Sequence, residues 1–174
     1  MNRLAFPAEF VPLSAAQFNS SSATDTLSAP HRRLRDGAFA PHATFAPIHY
    51  ERGYAYPLVV WLHGPLGNEQ QLRRVMPLVS MRNYVAVAPR GTSGDRVRRS
   101  AFSWQQTETD VEEAEDRVFE CVATAARRFN VHPRRVFLAG LGCGGTMALR
   151  VAWNHPEQFA GVATIGGPLP ADNR

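Results

Sequence analysis

Apolar residues along this chain gather in short unbroken runs, and between the runs they recur at helical spacing. The runs are 58–62 (LVVWL), 84–88 (YVAVA), 136–139 (VFLA) and 159–165 (FAGVATI), the first three suited to buried strands and the last to a fourth strand. After the first run, Leu72, Val75, Met76 and Val79 predict a helix with one apolar face. Asn68 is its expected cap, Gln71 completes a capping-box pattern three residues on, and Pro77 shortens or kinks it. Val111, Ala114, Val118, Cys121, Ala125 and Phe129 form the stripe of a longer helix over 110–130, with Asn130 as its stop. Met147, Ala148, Val151 and Ala152 mark a third helix. Strands alternating with helices predict an α/β fold, an open, mostly parallel sheet with helices on both faces. Ligands of such sheets bind beyond the carboxyl ends of the strands, which directs attention to 63–67, 89–104, 140–145 and 166–170.

The remaining segments read differently. Residues 36–57 supply one or two edge strands, limited by Pro41 and Pro47. Residues 1–35 show no sustained period, and the polar run SSSATDTLSAPH reads as part of a flexible leader. The expected organisation is a leader over 1–35 and one domain over 36–174. A length of 174 residues with 44% hydrophobic content is enough for one sizeable core.

Charge and cysteine content narrow the classes further. The net charge is +4, and all 19 basic residues are arginine. The arginines are scattered without interleaved aromatics, a pattern of codon preference rather than of a nucleic-acid surface. The densest groups, Arg32–Arg33–Arg35 and Arg96–Arg98–Arg99, fall in expected loops, where either could touch an anion. Cys121 and Cys143 form no disulfide framework and have no metal-type spacing. No run spans a bilayer, and Pro7, Glu9 and Pro12 interrupt any signal-peptide core, so a cytoplasmic location is expected. His31, His42, His49 and His132 read as loop residues.

Gly140-Leu141-Gly142-Cys143-Gly144 lies where the third run turns into a helix. A nucleophile elbow, G-x-S-x-G, uses small flanking residues so that a sharp turn can project its central side chain into a cleft. Gly140 and Gly144 suit the flanks, but the centre is Gly142. A phosphate-cradling loop is the weaker reading, because no Lys-Ser/Thr follows and the glycines do not fit the dinucleotide pattern. With HPRRVFLAGLGCGGTMALRVAWNHPEQFAGVATIGGPLP, WLHGPLGNEQQL and FSWQQ in this order and spacing, the chain over about 55–170 resembles the phospholipase/carboxylesterase family of α/β-hydrolases, which includes the acyl-protein thioesterases.

The resemblance implies hydrolysis of a small-molecule ester or thioester through an acyl-enzyme, without a cofactor or metal. Gly142 then takes the place of the serine nucleophile. The N–H of Cys143 takes the oxyanion position after it, and Leu66 is the second donor because Pro65 has no N–H. His63 and Gly64 belong to the turn, His63 as a brace. In α/β-hydrolases the acid and then the histidine follow the nucleophile, and His155 and Asp172 both come too early for these roles. The expectation is an incomplete α/β-hydrolase fold lacking its last strands, and a hydrolase relic without catalysis. Two alternatives stand beside it: a non-catalytic binding or interaction module using the cleft or the sheet edge, and a thiol-dependent esterase acting through Cys143. The strand near 160–165 becomes an exposed apolar edge, from which self-association is expected.

Overall fold

A computed structural model describes residues 40–170 of the chain; the expected leader lies outside the described residues. The edge strand β1 (His42–Phe45) comes first, followed by β2 (Tyr56–Leu62). A 3-10 turn over Glu69–Gln71 leads into α1 (Leu72–Val79), and β3 (Val85–Pro89) returns to the sheet. A small hairpin, β4 (Ser93–Gly94) and β5 (Phe102–Ser103), precedes the long helix α2 (Glu108–Arg128). The chain then forms β6 (Val131–Leu141), α3 (Cys143–Asn154) and β7 (Gly161–Ile165).

The main sheet has the order β1-β3-β2-β6-β7, with β1 antiparallel and the other neighbours parallel. Alternation along β2 sends its residues to two cores. Leu58, Val60 and Leu62 pack with Val118, Cys121 and Val122 of α2 and Met147 and Val151 of α3. Val59 and Trp61 pack on the other face with Leu72 and Met76 of α1. Full burial on both sides is why β2 and β3 read as unbroken apolar runs.

Several local expectations are corrected. His42 lies in β1 and His132 in β6 rather than in loops. Val79 is largely exposed, so the apolar stripe of α1 narrows to Leu72 and Met76 with Val75 beside them. Strand β6 starts five residues before the apolar run, and its pairing to β2 shifts register between Tyr56 and Leu58. Pro133 lies in that stretch and has no N–H for the ladder. Helix α2 stops at Phe129, while Asn130 donates from its backbone to the Tyr50 hydroxyl and from its side chain to the Arg52 carbonyl.

Among the described residues, strand β7 is hydrogen-bonded to β6 alone and forms an edge of the sheet, with Val162 and Ile165 exposed. Among the described residues no helix is long and apolar enough to cross a membrane.

Candidate functional site

Pairing of Leu62 with Gly140 brings the ends of β2 and β6 side by side. The loops that leave these strands, 63–67 and 141–143, are therefore neighbours. Leu141 ends β6 and Cys143 starts α3, so a single residue makes the corner between them. That residue, Gly142, has φ +55° and ψ −124°, a region that side-chain-bearing residues enter only under strain. Its N–H donates to the Ile165 carbonyl at 2.9 Å and its carbonyl accepts from the Thr146 N–H at 3.0 Å. The Thr146 hydroxyl donates to the Pro168 carbonyl at 2.8 Å, which ties the loop after β7 to the same corner.

Glycine on either side of the corner answers to space. A Cβ on Gly140 would meet the Gly144 carbonyl carbon and oxygen at 2.5 Å, and one on Gly144 would collide with the carbonyls of Leu62 and His63. A Cβ at Gly142 itself would approach Cδ of Pro65 at 3.1 Å. Pro65 thus covers the point from which an elbow side chain would project.

The turn after β2 is braced from several directions. His63 is completely buried; its Nδ1 lies 2.8 Å from the Gly64 carbonyl, and its Nε2 accepts the Gly91 N–H at 2.9 Å. Those two bonds fix the tautomer with the proton on Nδ1. Burial pushes the imidazole pKa below its ordinary value, against an opposing contribution from the Gly64 carbonyl. The Trp104 indole donates to the His63 carbonyl at 3.1 Å. Leu66 has φ +56°, uncommon for a residue with a γ-branched side chain, and its N–H takes no part in the hydrogen bonds that fix the turn. Cys143 opens α3, so its N–H has no partner inside the helix. Its side chain packs against the core cluster.

Four residues hold this region: Gln71, expected in a capping box, and Glu69, Arg90 and Arg117, which no expectation named. Gln71 does not complete a capping box. Asn68 caps alone, accepting from the Gln70 N–H at 2.9 Å, and Gln71 Oε1 accepts from the Trp61 indole at 2.9 Å and the Gly64 N–H at 3.1 Å. The need of a buried indole N–H for an acceptor was the available signal. Glu69, nearly buried, receives Arg90 through two bonds, Nε to Oε2 at 2.8 Å and Nη2 to Oε1 at 2.6 Å. The guanidinium holds the Glu69 carboxyl below its usual range. Arg117 of α2 donates to the carbonyls of Arg90 and Gly91 at 2.8 and 2.7 Å. No pattern in the sequence announces these bonds, because their partners lie 21 to 27 residues apart.

The other titratable candidates lie apart from the corner. His155 caps the far end of the 12-residue α3, about 18 Å along the axis from Gly142, and faces Glu115 at 3.2 Å. His42 pairs with Pro89 on the far edge strand, three strand spacings or about 14 Å from β6. Asp172 lies outside the described residues. Among the described residues no three His, Cys, Asp or Glu side chains are grouped to hold a metal.

A mostly parallel sheet, a one-residue corner between strand and helix, and a braced turn beside it define the α/β-hydrolase architecture. The chain matches the family model Esterase, described as "Putative esterase", over residues 41–172, and it belongs to that family. It is 35% identical over 121 residues to the "Putative esterase NocK" of Nocardia uniformis subsp. tsuyamanensis, covering 66% of this chain and 34% of that protein. The chain therefore spans about a third of that relative's length. Among solved structures it is similar to the Bacillus cereus carboxylesterase, with a TM-score of 0.61 and 17% identity over 78% of this chain and 64% of that one. It is also similar to the phospholipase/carboxylesterase of Dyadobacter fermentans, with a TM-score of 0.52 and 20% identity over 75% and 61%. At these identities the two structures speak for the fold.

Proposed function

We propose that this chain is a catalytically silent member of the esterase family that retains the backbone of an ester or thioester cleft. The observation that carries the reading is Gly142 at the apex of the elbow. Acyl transfer begins with attack by a side-chain nucleophile, and glycine has no side-chain atom to attack with. The neighbouring histidine offers no replacement, since both ring nitrogens of His63 are engaged inside the fold. Packing of Cys143 on the core favours silence over a thiol-dependent esterase.

Binding without cleavage is favoured by a separate observation. The turn keeps Leu66 at positive φ, a conformation that costs free energy and that a turn without a function has little reason to hold. We assign the N–H groups of Leu66 and Cys143 to the oxygen of a bound ester carbonyl.

The test is hydrolysis of p-nitrophenyl acetate by the purified chain beside its Cys143→Ala variant. No turnover above background is expected from either protein. Turnover that disappears with Cys143 would overturn the assignment and make this a thiol esterase.

A further inference from the structure

The hairpin loop over 95–101 carries Arg96, Arg98 and Arg99, all exposed. Its backbone is held in place. Asp95 Oδ1 accepts the N–H groups of Val97 and Arg98 at 2.8 and 2.6 Å, the Ala101 N–H donates to the Arg98 carbonyl at 2.8 Å, and the Asp95 N–H donates to the Ala101 carbonyl at 2.8 Å. Three like charges on one short loop repel each other, and that repulsion is relieved when an anion sits among them. The carboxylate of the loop, Asp95, accepts from the loop's own amides and also feels the Arg98 charge, which leaves two of the three arginines without a carboxylate on the loop.

Other arginines at this end of the sheet have fixed partners. Arg90 is paired with Glu69, Arg117 with Glu113 and two carbonyls, and Arg150 with Gln106. Among the described residues, no ion pair or side-chain hydrogen bond engages the guanidinium groups of Arg96, Arg98 and Arg99.

The loop is also fastened to the turn that bears Leu66. The Phe102 N–H donates to the Gly67 carbonyl at 2.7 Å, and the Asn68 side chain donates to the Ser100 carbonyl at 2.8 Å. Ser100 and Phe102 lie at the loop's end, so Arg99 and Arg98 stand one and two residues from an atom bonded to the turn. Guanidinium forks bind carboxylate and phosphate oxygens in pairs, and a backbone ordered in advance lowers the entropy lost on binding.

We infer that the 95–101 loop is an anion-binding lip of the cleft, and that its ligand is an ester carrying a second, oxyanionic group, a carboxylate or a phosphate. The inference rests on the reading that the cleft binds esters.

Titration of the 15N-labelled chain tests both, with the amide signals of Leu66 and Cys143 as reporters. The probes are monomethyl succinate, 2-acetoxyethyl phosphate and uncharged methyl pentanoate. At low salt at least one charged ester is expected to bind about five- to tenfold more tightly than methyl pentanoate. The advantage shrinks as salt screens exposed charge and vanishes in the Arg96→Ala/Arg98→Ala/Arg99→Ala variant. Whichever charged ester gains identifies the anion. Equal binding of charged and neutral esters, or an advantage that survives in the triple variant, overturns the lip and leaves the ester cleft standing. Unmoved reporters with all three probes overturn the ester cleft, and the lip with it.

Discussion

Gly142 holds φ +55° with Pro65 Cδ 3.1 Å from where a Cβ would stand. Gly142→Ser therefore meets backbone strain and a close contact together, and is expected to lower stability by about 1–3 kcal/mol. Urea unfolding measures this, and Gly142→Ser combined with Pro65→Ala should recover part of the loss. No esterase activity is expected from either variant, because His63, the imidazole beside the corner among the described residues, has both ring nitrogens engaged. Measurable turnover by Gly142→Ser would show that the base has been misplaced. His63 supplies a pH dependence of its own. Burial lowers its pKa from the ordinary 6.5, so the unfolded chain binds the proton more readily than the folded one. Stability from this group is complete above pH 6.5 and falls as the pH drops below it toward the folded value. Thermal melts between pH 7.5 and 5 should show the decline, and His63→Asn should flatten it while lowering the melting temperature throughout. A wild-type melting temperature that stays level across this window would count against the buried neutral imidazole.

Between the strands and the helices, the short 3-10 turn over Glu69–Gln71 connects three elements. Glu69 reaches Arg90 after β3, Gln71 reaches Trp61 in β2 and the Gly64 N–H, and Asn68 reaches the β5 side of the hairpin. Glu69→Gln keeps the shape and removes the charge of a pair whose arginine is one-third exposed. Its expected cost is about 1–2 kcal/mol, with faster amide exchange at residues 68–71 than in α2. Unchanged exchange there would mean that the pair does not hold the turn. The same elements show what the sequence could and could not reveal. Strands β2 and β3 and helix α2 were legible because burial on one or two faces leaves a periodic trace. The glycines of the elbow were legible because they match a known strand–turn–helix pattern, in which Gly140 and Gly144 meet four residues apart. The bonds of Glu69 and Arg117 to Arg90 left no trace, since a hydrogen bond between residues 21 or 27 apart imposes no period. Trp104 lies outside any periodic run, yet it is almost fully buried against His63.

At the scale of the sheet, the described residues give two edges of different kinds. On the β1 side the edge strand is short, four residues, and Pro41 and Pro47 flank it, a common way of keeping an edge from pairing. On the β7 side neither device is present. Gly161–Ile165 has no proline, no charged residue and no bulge in its pairing to β6, and Val162 and Ile165 face outward. An edge of this kind offers unpaired N–H and C=O groups at strand spacing beside apolar side chains, and a second copy of the same edge is a complementary template for it. Two β7 strands related by a two-fold axis would pair antiparallel and bury both sets of side chains. Sedimentation velocity of the isolated chain is therefore expected to show dimers or larger species whose share grows with concentration. Val162→Lys places a charge on the edge and should shift the distribution toward monomer while leaving the circular dichroism spectrum unchanged. A monodisperse monomer across the concentration range would sink the prediction. Association that Val162→Lys does not alter would move the contact to another surface, with Trp153, largely exposed on α3, the next residue to substitute.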